Sequence, residues 1–198
     1  MEECEKKKSE LLYNGGWWFF RFLFHFIGRA KVSGLENIPA GGAVIAPNHI
    51  SLADPQLVGC CMKRDLFFMA KIELFKVPIF GSLISRTNAF KVRRGQMDIE
   101  AFRTAQRLLE NGRAVLVFPE GTRSKDGNFR KPFHGVGMLS CMAQSPIVPV
   151  RIMNSDKFPY KQIKVIFGKP IYPPKDFEKK TYKELSERVI EEIGKLEN

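Results

Sequence analysis

A histidine stands five residues ahead of an aspartate in Asn48-His49-Ile50-Ser51-Leu52-Ala53-Asp54-Pro55, directly after the apolar run Ala43–Pro47. That run reads as a strand, and in open α/β sheets ligands bind beyond the carboxyl ends of strands. A carboxylate beside a histidine holds the ring in one tautomer and makes it a better general base. Asp54-Pro55 equally suits the start of a helix over Pro55–Met62, with aspartate as N-cap and proline in the first turn. Spacing alone leaves both readings open.

Three further segments carry chemistry. Phe118-Pro119-Glu120-Gly121-Thr122-Arg123-Ser124 follows the most continuous apolar run of the chain. A glycine turn lets backbone N–H groups approach a ligand, and an arginine grips a phosphate in two places; the plainer reading is a polar turn with a solvated arginine. Asn88-Ala89-Phe90-Lys91-Val92-Arg93-Arg94-Gly95 places cations just beyond a strand. Residues 71–131 hold 13 Lys/Arg against 6 Asp/Glu, a net +7 of the chain's +11. That concentration favours a local anion site, against the alternative of a solvated basic face. Ile147-Val148-Pro149-Val150-Arg151 puts a proline inside a strand pattern, which marks a bulge or an edge near a ligand.

These residues need a scaffold, and the rest of the chain alternates strand and helix patterns. Strands are expected at Lys31–Leu35, Ala43–Pro47, Leu66–Ala70, Ala89–Val92, Ala114–Phe118, Ile147–Met153 and Ile163–Phe167. Ala114–Phe118 is apolar throughout, as a strand buried on both faces requires. Ile99, Phe102, Gln106 and Leu109 recur at helical spacing, and Asn111-Gly112 ends that helix. Thr181-x-x-Glu184 reads as a capping box opening a last helix, whose stripe Tyr182, Leu185, Val189, Ile193, Leu196 packs on the sheet. The alternation predicts an α/β fold: a single domain with a mostly parallel central sheet flanked by helices.

The chain start differs. Trp17–Ile27 is an 11-residue aromatic run with Arg21 inside it. A spanning helix needs about 20 apolar residues, so this segment is too short to cross a bilayer. Paired tryptophans are typical of a membrane interface, and a helix lying in one leaflet fits. Trp17, Trp18, Phe19, Phe22 and Phe26 are its candidate membrane contacts, and Lys6–Lys8, Arg29 and Lys31 would meet anionic headgroups. A helix packed into the core is the alternative. The division is therefore a membrane-interface helical segment over residues 1–30 and an α/β domain over 31–198.

Composition supports a globular chain of 198 residues, 44% apolar and 27% charged. Its excess of Lys and Arg points to an anionic partner: nucleic acid, an anionic membrane surface or a phosphorylated substrate. The aromatics cluster at the start and do not interleave with the cations, which argues against single-stranded nucleic acid. Cys4, Cys60, Cys61 and Cys141 offer no C-x-x-C spacing, so neither a zinc site nor a disulfide framework is expected. No small-residue cleavage site follows the aromatic run, against a secretory signal.

The ordered set Asn48-His49-x-Ser51-x-x-Asp54, Phe90-x-x-Arg93, Phe118-Pro119-Glu120-Gly121-Thr122-Arg123 and Val148-Pro149-Val150 resembles the PlsC-like glycerolipid acyltransferases, the family of 1-acylglycerol-3-phosphate acyltransferases. The likeness covers residues 30–168, and Gly34-Leu35-Glu36-Asn37-Ile38-Pro39 is typical of bacterial members. It implies acyl transfer from acyl-carrier protein or acyl-CoA to the sn-2 hydroxyl of lysophosphatidic acid, giving phosphatidic acid for phospholipid synthesis. No cofactor and no metal are implied. His49 would take the hydroxyl proton, and Asp54 would orient it. Backbone N–H groups near Gly121 would face the oxyanion, Thr122 in the same turn would contact substrate, and Arg93 and Arg123 would bind the acceptor phosphate. Glu120 would contact glycerol or hold its loop. No acyl-enzyme is implied, and no G-x-S-x-G elbow is present.

The family often has a lysine where Phe133 or His134 stands here; Lys131 is a possible substitute, and His134 reads as structural. The resemblance also implies a monotopic or peripheral enzyme on the cytoplasmic face of the membrane. Two other readings compete: the same chemistry on another lysolipid acceptor, and a non-catalytic basic membrane-surface protein.

Overall fold

A computed structural model describes residues 15, 18–78, 81, 84, 88–93, 98–124 and 128–197. Among the described residues, seven strands form one sheet: β1 Lys31–Ser33, β2 Ala43–Pro47, β3 Leu66–Lys71, β4 Ala89–Val92, β5 Ala114–Leu116, β6 Ile147–Met153 and β7 Lys164–Phe167. Their order across it is β1-β7-β6-β2-β5-β3-β4. Every pairing is parallel except β6 with β7. The expected α/β fold with a mostly parallel sheet is therefore the observed one.

The central strand β2 shows why. All five of its residues are buried, and successive side chains enter opposite cores. Ala43 and Ile45 join Leu57, Val58, Val148 and Val150 on one face. Val44 and Ala46 join Ala105, Leu139, Val189 and Ile193 on the other. The helices on those faces are α1 (residues 18–27), α2 (Asp54–Cys61), α3 (Ile99–Glu110), α4 (Gly135–Ala143) and α5 (Lys179–Lys195). The first two helices, α1 being π-helical over Leu23–Ile27, contribute Phe24, Leu57 and Val58 to the first core; α3, α4 and α5 build the second.

Several local expectations need correction. β1 stops at Ser33, because Gly34 turns left-handed (φ 76°) and Leu35–Asn37 form a 3-10 turn. A Cβ at Gly34 would also strike the Phe167 carbonyl. β5 ends at Leu116, two residues early, and Phe118 leaves the ladder to stack on His49. Pro149 marks neither a bulge nor an edge. β6 is an interior strand, and Pro149 lies one residue outside the β6–β7 ladder, where its carbonyl still accepts from Gly168 N–H (2.8 Å).

The helix α3 buries Ala101, Ala105 and Leu109, whereas Ile99 points out. In α5 the capping box is real but begins three residues earlier. Glu178 is the N-cap and Thr181 the third helical residue, so the threonine answers the glutamate. Leu185, Val189 and Ile193 are buried as the stripe requires.

Within α1 the inner face packs into the core, as the alternative reading of the aromatic run expects, and the outer face is open. Phe24 is buried, Phe20 stacks on it, and Arg21 donates to the Cys60 carbonyl (3.2 Å). Trp18, Phe19, Phe22 and Phe26 stay exposed, from 57% to 72%. Trp17 lies outside the described residues. Among those described, no helix is long and apolar enough to cross a membrane.

Candidate active site

The carboxyl ends of β2, β5 and β6 bring the motif residues together. Asn48 continues β2: its side chain donates to Ile152 O (3.0 Å) and accepts from Ile152 N–H (2.6 Å), mimicking a strand rung to β6. That rung fixes where the chain leaves the sheet, and His49 comes next. The His49 backbone is held at both ends. Its N–H donates to Glu120 Oε1 (3.2 Å), and its carbonyl accepts from Ser124 N–H (2.8 Å). Its ring stacks on Phe118 with centroids 3.8 Å apart.

Asp54 is fully buried and begins α2. It does not cap that helix, since Ala53 precedes it in the cap position and no side chain caps there. Its carboxylate turns back onto the preceding loop. Oδ2 accepts from His49 Nδ1 (2.9 Å), Ile50 N–H (2.8 Å) and Ser51 N–H (2.8 Å). Oδ1 accepts from Ser155 Oγ (2.6 Å). A carboxylate only accepts, so Nδ1 carries the ring proton and Nε2 presents its lone pair. Nε2 has no partner among the described residues, which leaves it available as a base. Of the two readings of Asp54, orientation of His49 is the one the geometry carries.

Glu120 is 2% exposed, and both of its oxygens are occupied: Oε1 by His49 N–H and Oε2 by Arg130 N–H (3.0 Å). Its observed contacts tie the His49 and Arg130 loops together. Gly121 adopts φ 66° under the Phe133 ring, where a Cβ would lie 2.8 Å from that ring. Its N–H is engaged by the Phe118 carbonyl (3.1 Å), which removes it as an oxyanion donor. The N–H groups of Thr122 and Arg123 have no partner among the described residues and are the donors left in that turn.

The two arginines expected to share one phosphate are placed differently. Arg123, with Thr122, lines a cavity of about 750 Å³ bounded by Asn48, Ile50, Arg130 and the end of β6. Arg93 is exposed beyond β4 and does not line it. Its backbone N–H donates to Asp98 (2.8 Å), and this bond, followed by that from Ala101 N–H, holds the Asp98 carboxyl below its ordinary value. Lys71 pairs in register with Val92, so a second cation ends its strand beside Arg93. Lys131 and His134 are both exposed, and His134 precedes α4 as its N-cap residue.

Sequence patterning missed Ser155 and the cations Arg130 and Lys157. Ser155 is buried in a short turn after β6, 101 residues from its partner Asp54, and no local spacing signals such a contact. The thiols are poor nucleophile candidates. Burial pushes Cys60 and Cys61 up to about 12, so both stay protonated at neutral pH.

The acyltransferase family model matches residues 29–153. Over 181 residues the chain is 31% identical to a 1-acyl-sn-glycerol-3-phosphate acyltransferase of Bacillus subtilis, spanning 86% of this chain and 89% of that protein. It is 33% identical over 140 residues to the lyso-ornithine lipid O-acyltransferase of Pseudomonas aeruginosa, spanning 69% of this chain and 52% of that one. The crystal structure of the 1-acyl-sn-glycerophosphate acyltransferase PlsC from Thermotoga maritima shares the fold, with a TM-score of 0.67 at 24% identity over 99% of this chain and 95% of that one.

Proposed function

The chain belongs to the acyltransferase family, with 1-acyl-sn-glycerol-3-phosphate acyltransferases among its relatives, and from that premise we propose that it acylates the sn-2 hydroxyl of 1-acyl-sn-glycerol-3-phosphate, giving phosphatidic acid. The observation that carries the mechanism is the buried His49–Asp54 pair with Nε2 free. Nε2 takes the proton of the acceptor hydroxyl as its oxygen attacks the thioester carbonyl carbon. The tetrahedral oxyanion is met by the Thr122 and Arg123 N–H groups. The C–S bond then breaks, and the departing sulfur recovers the proton from His49. Asp54 keeps the ring oriented and offsets the imidazolium charge formed on the way. Arg93 and Arg123 approach the acceptor phosphate from the two sides of the site. The donor is an acyl thioester of carrier protein or coenzyme A.

An acyl-transfer assay in anionic vesicles tests this. Thiol release with lysophosphatidic acid should exceed that with a phosphate-free monoacylglycerol by on the order of 10²–10³ in kcat/KM, since charge-assisted contacts are worth about 1.5–3 kcal/mol each. Equal rates would remove the phosphate role from Arg93 and Arg123. Preference for lyso-ornithine lipid would instead establish the second reading, which the Pseudomonas relative favours.

The exposed face of α1 supports docking of the protein on a membrane surface, and the cytoplasmic leaflet is the one the proposed reading assigns. Trp18, Phe22 and Phe26 point away from the domain, and Arg29 and Lys31 follow on exposed positions. Deleting the helix would also strip Phe20 and Phe24 from the core, so substitution of the outer face is the cleaner test. A Trp18→Ser, Phe22→Ser, Phe26→Ser variant should fold normally and lose on the order of 10²-fold in anionic-vesicle partitioning. Undiminished binding in a flotation assay would place the docking surface elsewhere.

A further inference from the structure

The proposed reaction joins two anionic molecules. The acceptor carries a phosphate monoester, and the donor thiol carries its acyl group at the end of a phosphorylated pantetheine arm. Two separate anion seats on either side of the base would serve both, and the strand order supplies them. His49 follows β2. On one side β5 and β3 separate it from Arg93 at the end of β4. On the other, β6 is the direct neighbour of β2, and there the cavity of about 750 Å³ opens.

Among the described residues, that cavity gathers Arg123, Arg130, Arg151 and Lys157 around a single lining carboxylate, Asp156. None of the four cations forms an ion pair among the described residues. Arg151 is half-buried and fixed: its guanidinium lies 4.6 Å over the Phe129 ring and donates to Ile193 O (3.3 Å). Arg130 is anchored through its backbone to Glu120 and reaches Thr122 Oγ1 (3.5 Å). Like charges brought together in a concavity repel one another, and an anionic ligand relieves that repulsion. The volume falls in the range that accommodates drug-sized ligands, well beyond a lone phosphate.

We propose that this cavity seats the phosphate-bearing arm of the acyl-thiol donor, held by Arg130, Arg151 and Lys157. The assignment rests on the acyl-transfer reading of the site. Arg123, at the Thr122 end of the cavity, stands between the two substrates. The phosphopantetheine phosphate is common to coenzyme A and carrier protein, whereas the nucleotide phosphates belong to coenzyme A alone.

The test measures KM for acyl-CoA, acyl-carrier protein and lysophosphatidic acid with the full chain in vesicles. Arg130→Ala with Lys157→Ala changes two exposed side chains and should not disturb folding; Arg151→Ala is the second variant, accompanied by a thermal melt. Each lost phosphate contact should raise the donor KM by about ten-fold or more, with the acceptor KM within two-fold. A rise with both donors supports the seat and places the shared phosphate in it. A rise with acyl-CoA alone supports it and places the nucleotide there. An unmoved donor KM in folded variants, or a rise confined to lysophosphatidic acid, overturns the proposal. Absence of transfer by the wild-type chain with both donors overturns the acyl-transfer reading itself, a distinguishable result.

Discussion

His49→Ala is expected to lower turnover by about 10²–10⁴-fold while leaving the fold and vesicle binding in place, because that is the range general-base assistance contributes. The reasons for a clean variant are local. Glu120 and Ser124 hold the backbone of residue 49, and those bonds do not need the ring. The side chain contributes one stack on Phe118 and one bond to Asp54. After its loss Asp54 still accepts from Ile50, Ser51 and Ser155. The missing stack costs about 0.5–1.5 kcal/mol, which a thermal melt would register as a small shift. Thiol release with vesicle-bound lysophosphatidic acid is the measurement. A wild-type rate would overturn the general-base role of His49 and require the base to be another group.

The His49–Asp54 pair was legible because its chemistry lies within five residues and directly follows an unambiguous strand. β2, β4 and β6 have the expected bounds for the same reason: short apolar runs between polar or glycine-rich turns allow little else. What the pattern could not show depends on distant backbone. Glu120 looked like a substrate contact as readily as a clamp, and only the approach of residues 49 and 130 distinguishes the two. A glycine turn is legible at Gly121, but not that the Phe133 ring covers it or that the Phe118 carbonyl engages its N–H, which leaves its neighbours as the candidate oxyanion donors. Arg93 and Arg123 both follow strands, and spacing alone does not say whether they reach one phosphate from the same side or from two. Strand order, which composition does not encode, places β3 between β4 and β5, and only Arg123 lines the cavity.

Asp54→Asn should separate charge from geometry in the same pair. The carboxamide keeps one acceptor oxygen, which can take the place of Oδ2 toward His49 Nδ1 and the two loop N–H groups. Its NH₂ group then faces Ser155 Oγ, a hydroxyl able to rotate and accept. The loop therefore stays closed, and the protein should fold with a modest loss of thermal stability. The negative charge opposite the forming imidazolium is gone, so kcat should fall on the order of 10³-fold with little change in acceptor KM. Asp54→Ala differs in kind: it leaves several buried donors without acceptors, at about 1–3 kcal/mol each, and should unfold or nearly unfold the chain. Ser155→Ala removes only the Oδ1 bond and retains the charge, so its expected loss is smaller, about ten-fold in kcat for one charge-assisted bond. The ranking is what geometry plus charge requires. If Asp54→Asn turned over at the Ser155→Ala rate or faster in folded protein, orientation alone would account for the aspartate, and its electrostatic part in the mechanism would have to be withdrawn.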